Sequence, residues 1–275
     1  MLSVKGRKLL VSFIKLLKTE MTRPEPWGIF HISWLVAAVL LAWALKRLKG
    51  EKVTERVFTI YGWTALILET LKQFSWSFTF TEAGGLVFGY QWYSAPFQIC
   101  TTPAYVCVLY SFVKSSRLRS YLRAYLAYFT SIASIMVALV PNSVFTNEIL
   151  INVHTSFLHI GALFVSVWLL ESNRVDARQD FLGGYKVFFI FVGIAQLLNI
   201  VVYNAGWLNG QTFDMFYISP YFISSLPVFD TIDRNASFAV FMLTYLFAFF
   251  LGGGLIAFAQ GARDRLSKHF KQKHV

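Results

Sequence analysis

The stretch VFFIFVGIAQLLNIVVYNAGWLNGQTF, residues 187–213, runs for 27 residues without Asp, Glu, Lys or Arg. A helix that crosses a bilayer core needs about 20 mostly apolar residues, so this stretch is long enough to cross. The same property is shared by five other stretches, 26–45, 83–113, 124–147, 149–170 and 235–262. Each of them predicts one transmembrane helix.

A seventh candidate, 57–80, is apolar and aromatic except for Glu69 and Lys72. Overall, 56% of the residues are hydrophobic and 14% are charged, against about 25% charged residues in a typical soluble domain. This composition excludes a disordered chain, a disulfide scaffold and an ordinary soluble enzyme. We therefore expect an all-α polytopic membrane protein with about seven transmembrane helices.

The N-terminal segment differs from the rest because its apolar and basic residues alternate with helical spacing. Leu9, Leu10, Phe13, Ile14 and Leu17 share one helical face, and lysines occupy another. This pattern predicts an amphipathic helix on a membrane surface, and a disordered basic terminus is the alternative. The predicted organisation is an interfacial helix in 1–22, one transmembrane domain in 23–262 and a basic cytoplasmic tail in 263–275.

The net charge is +11, and the basic residues lie between the apolar stretches. Anionic lipid headgroups are therefore expected as partners, rather than nucleic acid. With seven crossings, seventeen Lys and Arg residues fall on one side of the membrane and seven on the other. This bias predicts a cytoplasmic C-terminus, although six of the seven opposing charges lie in the N-terminal segment. The sequence leaves the oligomeric state open.

Ionisable side chains inside apolar stretches mark candidate sites, because they are costly to bury in a bilayer. Counting from the predicted helix ends places them in the outer half of the membrane, which predicts a polar cavity open to the outer leaflet. The residues concerned are His31, Glu69, Lys72, His154 and His159, with Gln98, Cys100, Thr101, Gln196 and Asn199 as polar companions.

The predicted third helix, 83–113, carries two prolines around a cysteine. Pro96 and Pro103 each remove a backbone donor, so a kinked helix would expose carbonyl groups beside Cys100. A buried Cys100 acting as a small hydrophobe is the competing interpretation. The only other cysteine, Cys107, lies seven residues away, which disfavours a disulfide between the two.

Glu69 and Lys72 are spaced as a helical pair, which fits either a structural ion pair or a carboxylate that orients a histidine. His154 and His159 lie about 140° apart around a helix, so a shared metal is not expected. The chain has no phosphate-binding loop, dinucleotide fingerprint or zinc motif, and we expect no cofactor. Gly183 and Gly184 predict a turn.

Several short segments, in this order, resemble motifs of the YwaF-like integral membrane proteins. They are PWGIFH (26–31), LETLKQ (68–73), APFQIC (95–100), VHTSFLHIG (153–161), and Asn199 with MFYISP (215–220). Gln98 stands where the family often has His, and Ile160 separates His159 from Gly161. The resemblance covers about residues 26–260.

The resemblance implies lipid acyl chemistry, since animal relatives of the family include a multi-pass acyltransferase for lyso ether-phospholipids. It implies Cys100 as nucleophile and His159 as general base. A similar set of androgen-induced hydrolases of fatty-acid esters uses Thr and His, which makes Thr101 the reserve nucleophile. Glu69 is then expected to orient His159. The expected substrate-binding residues are His31, Lys72, Gln98, His154 and Asn199.

Three functions follow from these observations. The first is a membrane lipid acyltransferase or lipid-ester hydrolase that acts on phospholipids or lysophospholipids. The second is a transporter or channel for a small solute, which predicts a continuous polar path across the membrane with Glu69, Lys72 and the histidines at its midpoint. The third is a non-catalytic lipid-binding or scaffold protein, which predicts a dry apolar cavity and histidines that are satisfied by neighbouring helices.

Overall fold

The computed structural model describes residues 3–141 and 144–273, apart from the side chains of Val4 and of residues 267–273. Within these residues, four helices are apolar and long enough to cross a membrane, and Ile29–Leu45 is a shorter apolar helix. The four are Ser116–Leu139, Ile149–Glu171, Ala177–Asn204 and Phe238–Leu266. The chain is thus a mostly helical membrane protein with almost no strand.

In the described ranges, the helices follow one another along the chain and are interrupted by one small antiparallel hairpin. The helices are α1 (Val4–Leu17), α2 (Ile29–Leu45), α3 (Glu51–Trp76), α4 (Thr102–Tyr110), α5 (Ser116–Ala124), α6 (Thr130–Leu139), α7 (Ile149–Glu171), α8 (Ala177–Asn204), α9 (Phe229–Asn235) and α10 (Phe238–Lys273). The hairpin strands are β1 (Phe78–Phe80) and β2 (Leu86–Phe88), with Thr79 opposite Val87. A π-helical turn, Tyr125–Phe129, joins α5 to α6.

Helix α7 lies at the centre of the bundle, in contact with α2, α3 and α6. Most of its side chains are buried, including the large Trp168. Tyr61 of α3 packs against Gly161, and its hydroxyl donates to the Leu158 carbonyl at 3.0 Å. A Cβ at position 161 would lie 2.8 Å from the Tyr61 ring. The glycine therefore allows α3 and α7 to approach closely.

Helix α8 packs against α5 through two adjacent glycines. A Cβ at Gly184 would lie 2.8 Å from the backbone of Ala124 and Tyr125, and one at Gly183 would overlap the Tyr121 ring. The predicted turn at this pair is wrong, because both glycines lie inside α8 and serve the close approach of two helices.

The predicted third helix is also wrong over most of 83–113. Its first part forms β2 and a 3₁₀ turn, Trp92–Ser94, and only Thr102–Tyr110 is α-helical. Glycines favour the hairpin, whose turn holds Gly84 at a φ of 74°. Pro103 lies in the first turn of α4, where a missing N–H costs no hydrogen bond, so the proline begins this helix rather than kinking it.

The two ends of the bundle differ in chemistry. At one end, Arg119 and Arg123 pair with Glu51 at 3.0 and 3.2 Å, and Arg119 also pairs with Glu55 at 2.6 Å. At the other end, α3 is followed by the β1–β2 hairpin, and we call this the hairpin end. Most of the predicted site residues lie toward the hairpin end of their elements.

The N-terminal segment packs at the hairpin end. Ile14 and Leu17 of α1 are buried, whereas Leu9 and Leu16 are exposed. The Phe13 ring contacts Phe74 of α3 at a centroid distance of 5.9 Å.

At the other terminus, α10 continues past residue 263, where the tail was expected to begin. The expected tail residues 274–275 lie outside the described part.

Candidate functional site

A buried carboxylate, Glu69, joins α3 to α7. Its Oε2 accepts a hydrogen bond from Nε2 of His154 at 2.7 Å, and both side chains are almost completely buried. A carboxylate can only accept, so this contact places a proton on Nε2 of His154. The two residues form a carboxylate–imidazole pair of the kind that orients a histidine in acid–base chemistry.

The other oxygen of Glu69 faces two donors on its own helix. Lys72 Nζ and Gln73 Nε2 each lie 2.7 Å from Oε1. Both also donate to the Ser94 carbonyl, at 3.1 and 2.5 Å. The 3₁₀ turn that contains Ser94 therefore caps the cluster, and Glu69 is satisfied from three sides. These partners offset the free energy that the Glu69 carboxylate loses when it is removed from water.

Glu69 does not contact His159, the histidine that it was expected to orient. His159 lies five residues beyond His154 on α7, so its side chain leaves the helix in a different direction. Among the described residues, Nδ1 of His159 is buried without a hydrogen-bond partner. The two histidines thus belong to two separate environments, one paired and one unpaired.

The unpaired environment is a small cavity between α2, α6 and α7, which Pro141, Val144 and Phe145 also line. His159, Ser156 and Thr155 line it from α7, and His31 lines it from α2. Its volume is about 10 Å³, close to the roughly 10–15 Å³ that one water needs. His31 is 1% exposed, Ser156 3% and His159 9%, and each has one buried polar atom without a partner. We call it the polar cavity.

An apolar crevice lies next to the polar cavity. It has a volume of about 310 Å³ and is formed by α2, α3 and α7. Ile160 lines both spaces, so the two are adjacent. Leu41 and Ile60 in the crevice wall are largely exposed, which means that the crevice opens onto the outer surface of the bundle. Small-molecule sites span roughly 300–1,000 Å³, so a narrow apolar group fits here.

Cys100 lies in the turn that leads into α4. Its thiol is free and partly exposed, and the backbone N–H groups of Cys100 and Thr101 point toward its sulfur. The charges of Lys72 and Glu69 act on it. In the described part of the chain, Cys100 makes no hydrogen bond to a histidine. Thr101 is buried and its hydroxyl donates to the Gln98 carbonyl at 2.8 Å.

Gln98 and Asn199 hold the connecting segment 205–228 in place. Gln98 donates to the Asp214 carbonyl and accepts from Phe216 N–H, both at 3.0 Å. Asn199 accepts from Met215 N–H at 2.8 Å and donates to the Met215 carbonyl at 3.1 Å. Both side-chain amides are therefore occupied by backbone groups. They fix a 3₁₀ turn, Met215–Tyr217, with a positive φ at Phe216.

Asp214 lies in this connecting segment, outside the spanning helices. Burial raises the pKa of Asp214 to about 7, and the hydrogen bond from Ser219 N–H opposes the shift. The 2.8 Å bond from Ser219 to Oδ1 closes the turn. The side chain thus contributes to the local structure of the segment rather than to the polar cavity.

The sequence missed some of the residues that form these spaces. The spacing between Ser156 and His159 puts both on one helical face, but it does not reveal that His31 of another helix completes the cavity. No feature of the sequence indicates that the Ser94 carbonyl takes part.

Throughout the described ranges, no group of three or more His, Cys, Asp or Glu side chains is placed to share a metal ion.

Comparisons of the chain with protein-family models, with curated proteins and with solved structures give no match. The function is therefore argued from the geometry of the chain's own residues.

Proposed function

We propose that this protein is an integral membrane enzyme that transfers or hydrolyses the fatty acyl group of a membrane lipid. The observation that carries the proposal is that an apolar crevice of acyl-chain width and the polar cavity with its unpaired histidine are adjacent and share Ile160 as a lining residue. A lipid whose chain entered the crevice from the bilayer would bring its ester group toward His159.

The proposed reaction uses Cys100 as nucleophile and His159 as general base, with Thr101 as the reserve nucleophile. The base removes the thiol proton as sulfur attacks the ester carbonyl carbon, and the C=O electron pair moves onto oxygen. Collapse of this intermediate breaks the bond to the lipid alcohol, which takes the proton back from the imidazolium. Water or the hydroxyl of a lysophospholipid then attacks the thioester and releases Cys100.

The surroundings of Cys100 act on its thiol in both directions. Burial and the charge of Glu69 oppose a thiolate, whereas Lys72 and two backbone N–H groups favour one. A base is therefore required at the moment of attack. Tyr61 contacts the helix that carries the proposed base, because its hydroxyl donates to the Leu158 carbonyl, next to His159.

The proposal includes a membrane arrangement with seven crossings. Helices α2, α3 and α4 would add three crossings to the four long apolar helices, with the extended residues before α4 completing the third. The end of the bundle that contains Arg119 and the C-terminus would face the cytoplasm. Its basic residues would contact anionic lipid headgroups there. Helix α1 would lie at the opposite surface, with Leu9 and Leu16 in the interface.

The test uses detergent-purified protein and a palmitoyl thioester probe with a reporter on its chain. We expect labelling of the wild type and its loss in Cys100→Ala and in His159→Ala. Cys107→Ala is the matched control, because Cys107 is a fully buried cysteine on α4, and it should label like wild type. Labelling that is absent from wild type, or unchanged in both variants, overturns the proposal.

A second candidate function is proton-coupled transport, and it rests on the Glu69 cluster. A buried carboxylate bonded to both an imidazole and an ammonium group is typical of intramembrane proton relays. Reconstituted vesicles with an internal pH dye test this candidate. Proton flux in wild type that is lost in Glu69→Gln would favour transport over acyl transfer.

A further inference from the structure

A polar pocket lies where α3 meets the end of α4, at the end of the bundle that contains Arg119. Its volume is about 450 Å³, which is large enough for a lipid headgroup. Five of its lining residues belong to α3 and the sixth follows α4; they are Lys52, Glu55, Arg56, Thr59, Ile60 and Ser111. We call it the basic pocket.

The basic pocket contains two positive charges without a counter-charge. Lys52 and Arg56 are exposed and lie one helical turn apart on α3, a spacing at which like charges repel. Among the described residues, neither of them makes an ion pair. Their acidic neighbours, Glu51 and Glu55, pair with the arginines of α5 instead. The two cations are therefore available to an anion from outside the chain.

Two hydroxyl groups add a hydrogen-bond donor to these charges. Thr59 Oγ1 and Ser111 Oγ lie 3.1 Å apart, so one hydroxyl donates to the other. Within the part of the chain that the structure describes, the hydrogen of the accepting hydroxyl has no partner. An ammonium, a guanidinium and a hydroxyl donor are groups that bind phosphate oxygens. The chemistry of the pocket thus favours a phosphate group.

The basic pocket is adjacent to the apolar crevice, because Ile60 lines both. On α2, the crevice wall extends from Trp34 to Leu45, which is about 16 Å along a helix axis. The hydrocarbon of one leaflet is about 15 Å thick. Trp43 of the same helix is largely exposed, as tryptophans at a membrane surface commonly are. A phosphate in the pocket and a chain in the crevice therefore fit one phospholipid.

We infer that the basic pocket binds the phosphate of an anionic phospholipid whose acyl chain lies in the apolar crevice. An anionic headgroup is favoured over a zwitterionic one, since the ammonium of the latter would repel the two unpaired cations. The inference goes beyond the proposed function. It concerns binding alone, shares only the crevice with that function and does not depend on chemistry at Cys100 or His159.

Photo-crosslinking tests this inference with the purified full chain in phosphatidylcholine vesicles. The vesicles contain a small fraction of a phosphatidylglycerol that carries a diazirine on its acyl chain. We expect cross-links in peptides that cover 34–45 and 57–61, which form two walls of the crevice. A basic residue at a membrane surface strengthens the binding of anionic lipid by roughly fivefold. Lys52→Gln and Arg56→Gln should therefore each lower the yield by about that factor.

Two further variants separate a specific site from general attraction by net charge. Arg178→Gln removes the same charge from an exposed arginine in the first turn of α8, outside both spaces, and should keep the wild-type yield. Arg56→Lys retains the positive charge and should recover most of the yield. Thermal midpoints measured in detergent establish that each variant is folded.

Competition identifies the source of the phosphate. Unlabelled phosphatidylglycerol should displace the probe, whereas inorganic phosphate should not, because it has no chain for the crevice. Equal competition by inorganic phosphate would indicate a site for a soluble anion and would overturn the inference. An equal loss of yield in Arg178→Gln, or cross-links confined to other helices, would also overturn it.

The result is independent of the acylation test at Cys100. A wild type that is cross-linked as predicted but not acylated overturns the proposed function alone. A wild type that is acylated but not cross-linked in the crevice peptides overturns this inference alone.

Discussion

His154 and Glu69 face each other across the interface of α3 and α7, with Nε2 and Oε2 2.7 Å apart. Lys72 approaches the other carboxylate oxygen at the same distance. The carboxylate therefore neutralises an ammonium group and fixes an imidazole inside the bundle. The first prediction concerns the stability of this cluster.

Replacing Glu69 by Gln keeps the size of the side chain but leaves Lys72 without its counter-charge. Removing one partner of a buried ion pair costs about 3–5 kcal/mol, so we expect a clearly lower thermal midpoint in detergent. Glu82→Gln is the control, because Glu82 is exposed in the hairpin turn and its loss should change stability by less than about 0.5 kcal/mol. Equal midpoints for the two variants would refute a structural contribution of the pair.

The close contact between α8 and α5 gives a second prediction. A Cβ at Gly184 would meet the backbone of Ala124 and Tyr125, which cannot move aside as a side chain can. We expect Gly184→Ala to destabilise the protein by about 1–3 kcal/mol. Gly193 lies on the same helix with nothing within 4 Å of its Cβ position. Gly193→Ala should therefore be neutral or stabilising by up to about 1 kcal/mol.

The third prediction concerns pH. The pKa of Asp214 rises from an ordinary value of 3.8 to about 7 in the folded protein. The folded state then binds the proton more tightly than the unfolded state does, so this group stabilises the fold most below pH 3.8. Its contribution is lost as the pH rises through about 7.

Asp214→Asn tests this dependence directly, because the amide keeps an oxygen that can accept from Ser219 N–H. We expect the thermal midpoint of wild type to fall between pH 5 and pH 7.5 more steeply than that of the variant. Parallel curves for the two proteins would show that Asp214 does not titrate in this range.

The apolar crevice gives a fourth prediction, on chain length. Ala38 of α2 lines the crevice, and a phenyl ring at this position would fill part of it. We expect Ala38→Phe to slow labelling by a palmitoyl thioester more than labelling by an octanoyl thioester. Val39→Phe is the matched control, because Val39 is the next residue along α2 and is largely exposed. The same loss for both chain lengths would mean that the crevice does not hold the acyl chain.

The sequence predicted the spanning helices well where an apolar stretch forms one uninterrupted helix. The stretch 149–170 lies within α7, and residues 187–204 of the stretch 187–213 lie within α8. The remaining residues, 205–213, are not helical, and Gly206 and Gly210 there have positive φ. The prediction failed over 83–113, where absence of charge was read as a helix. There the glycines at 84, 85 and 89 permit a hairpin, and Pro96 precedes a non-helical turn. A lack of charged residues indicates that a segment tends to leave water. It does not indicate which backbone conformation the segment adopts.

The candidate site was only partly predictable, because spacing describes one helix at a time. The separation of His154 from His159 around α7 follows from helical geometry, and the two do occupy different environments. Their partners, Glu69 for one and the His31 cavity for the other, depend on how α2 and α3 pack against α7. Glu69 was expected to orient His159, and the side-by-side packing of α3 and α7 gives it His154 instead.

The most direct test of the central claim is the intact mass of the protein after incubation with a lysophospholipid or phospholipid acyl donor, followed by acid quenching. We predict a mass increase of one acyl group in wild type and in Cys107→Ala. The same increase should be absent from Cys100→Ala and reduced in His159→Ala. An unmodified wild-type mass, or an acyl adduct that persists in Cys100→Ala and Thr101→Ala, would contradict the claim.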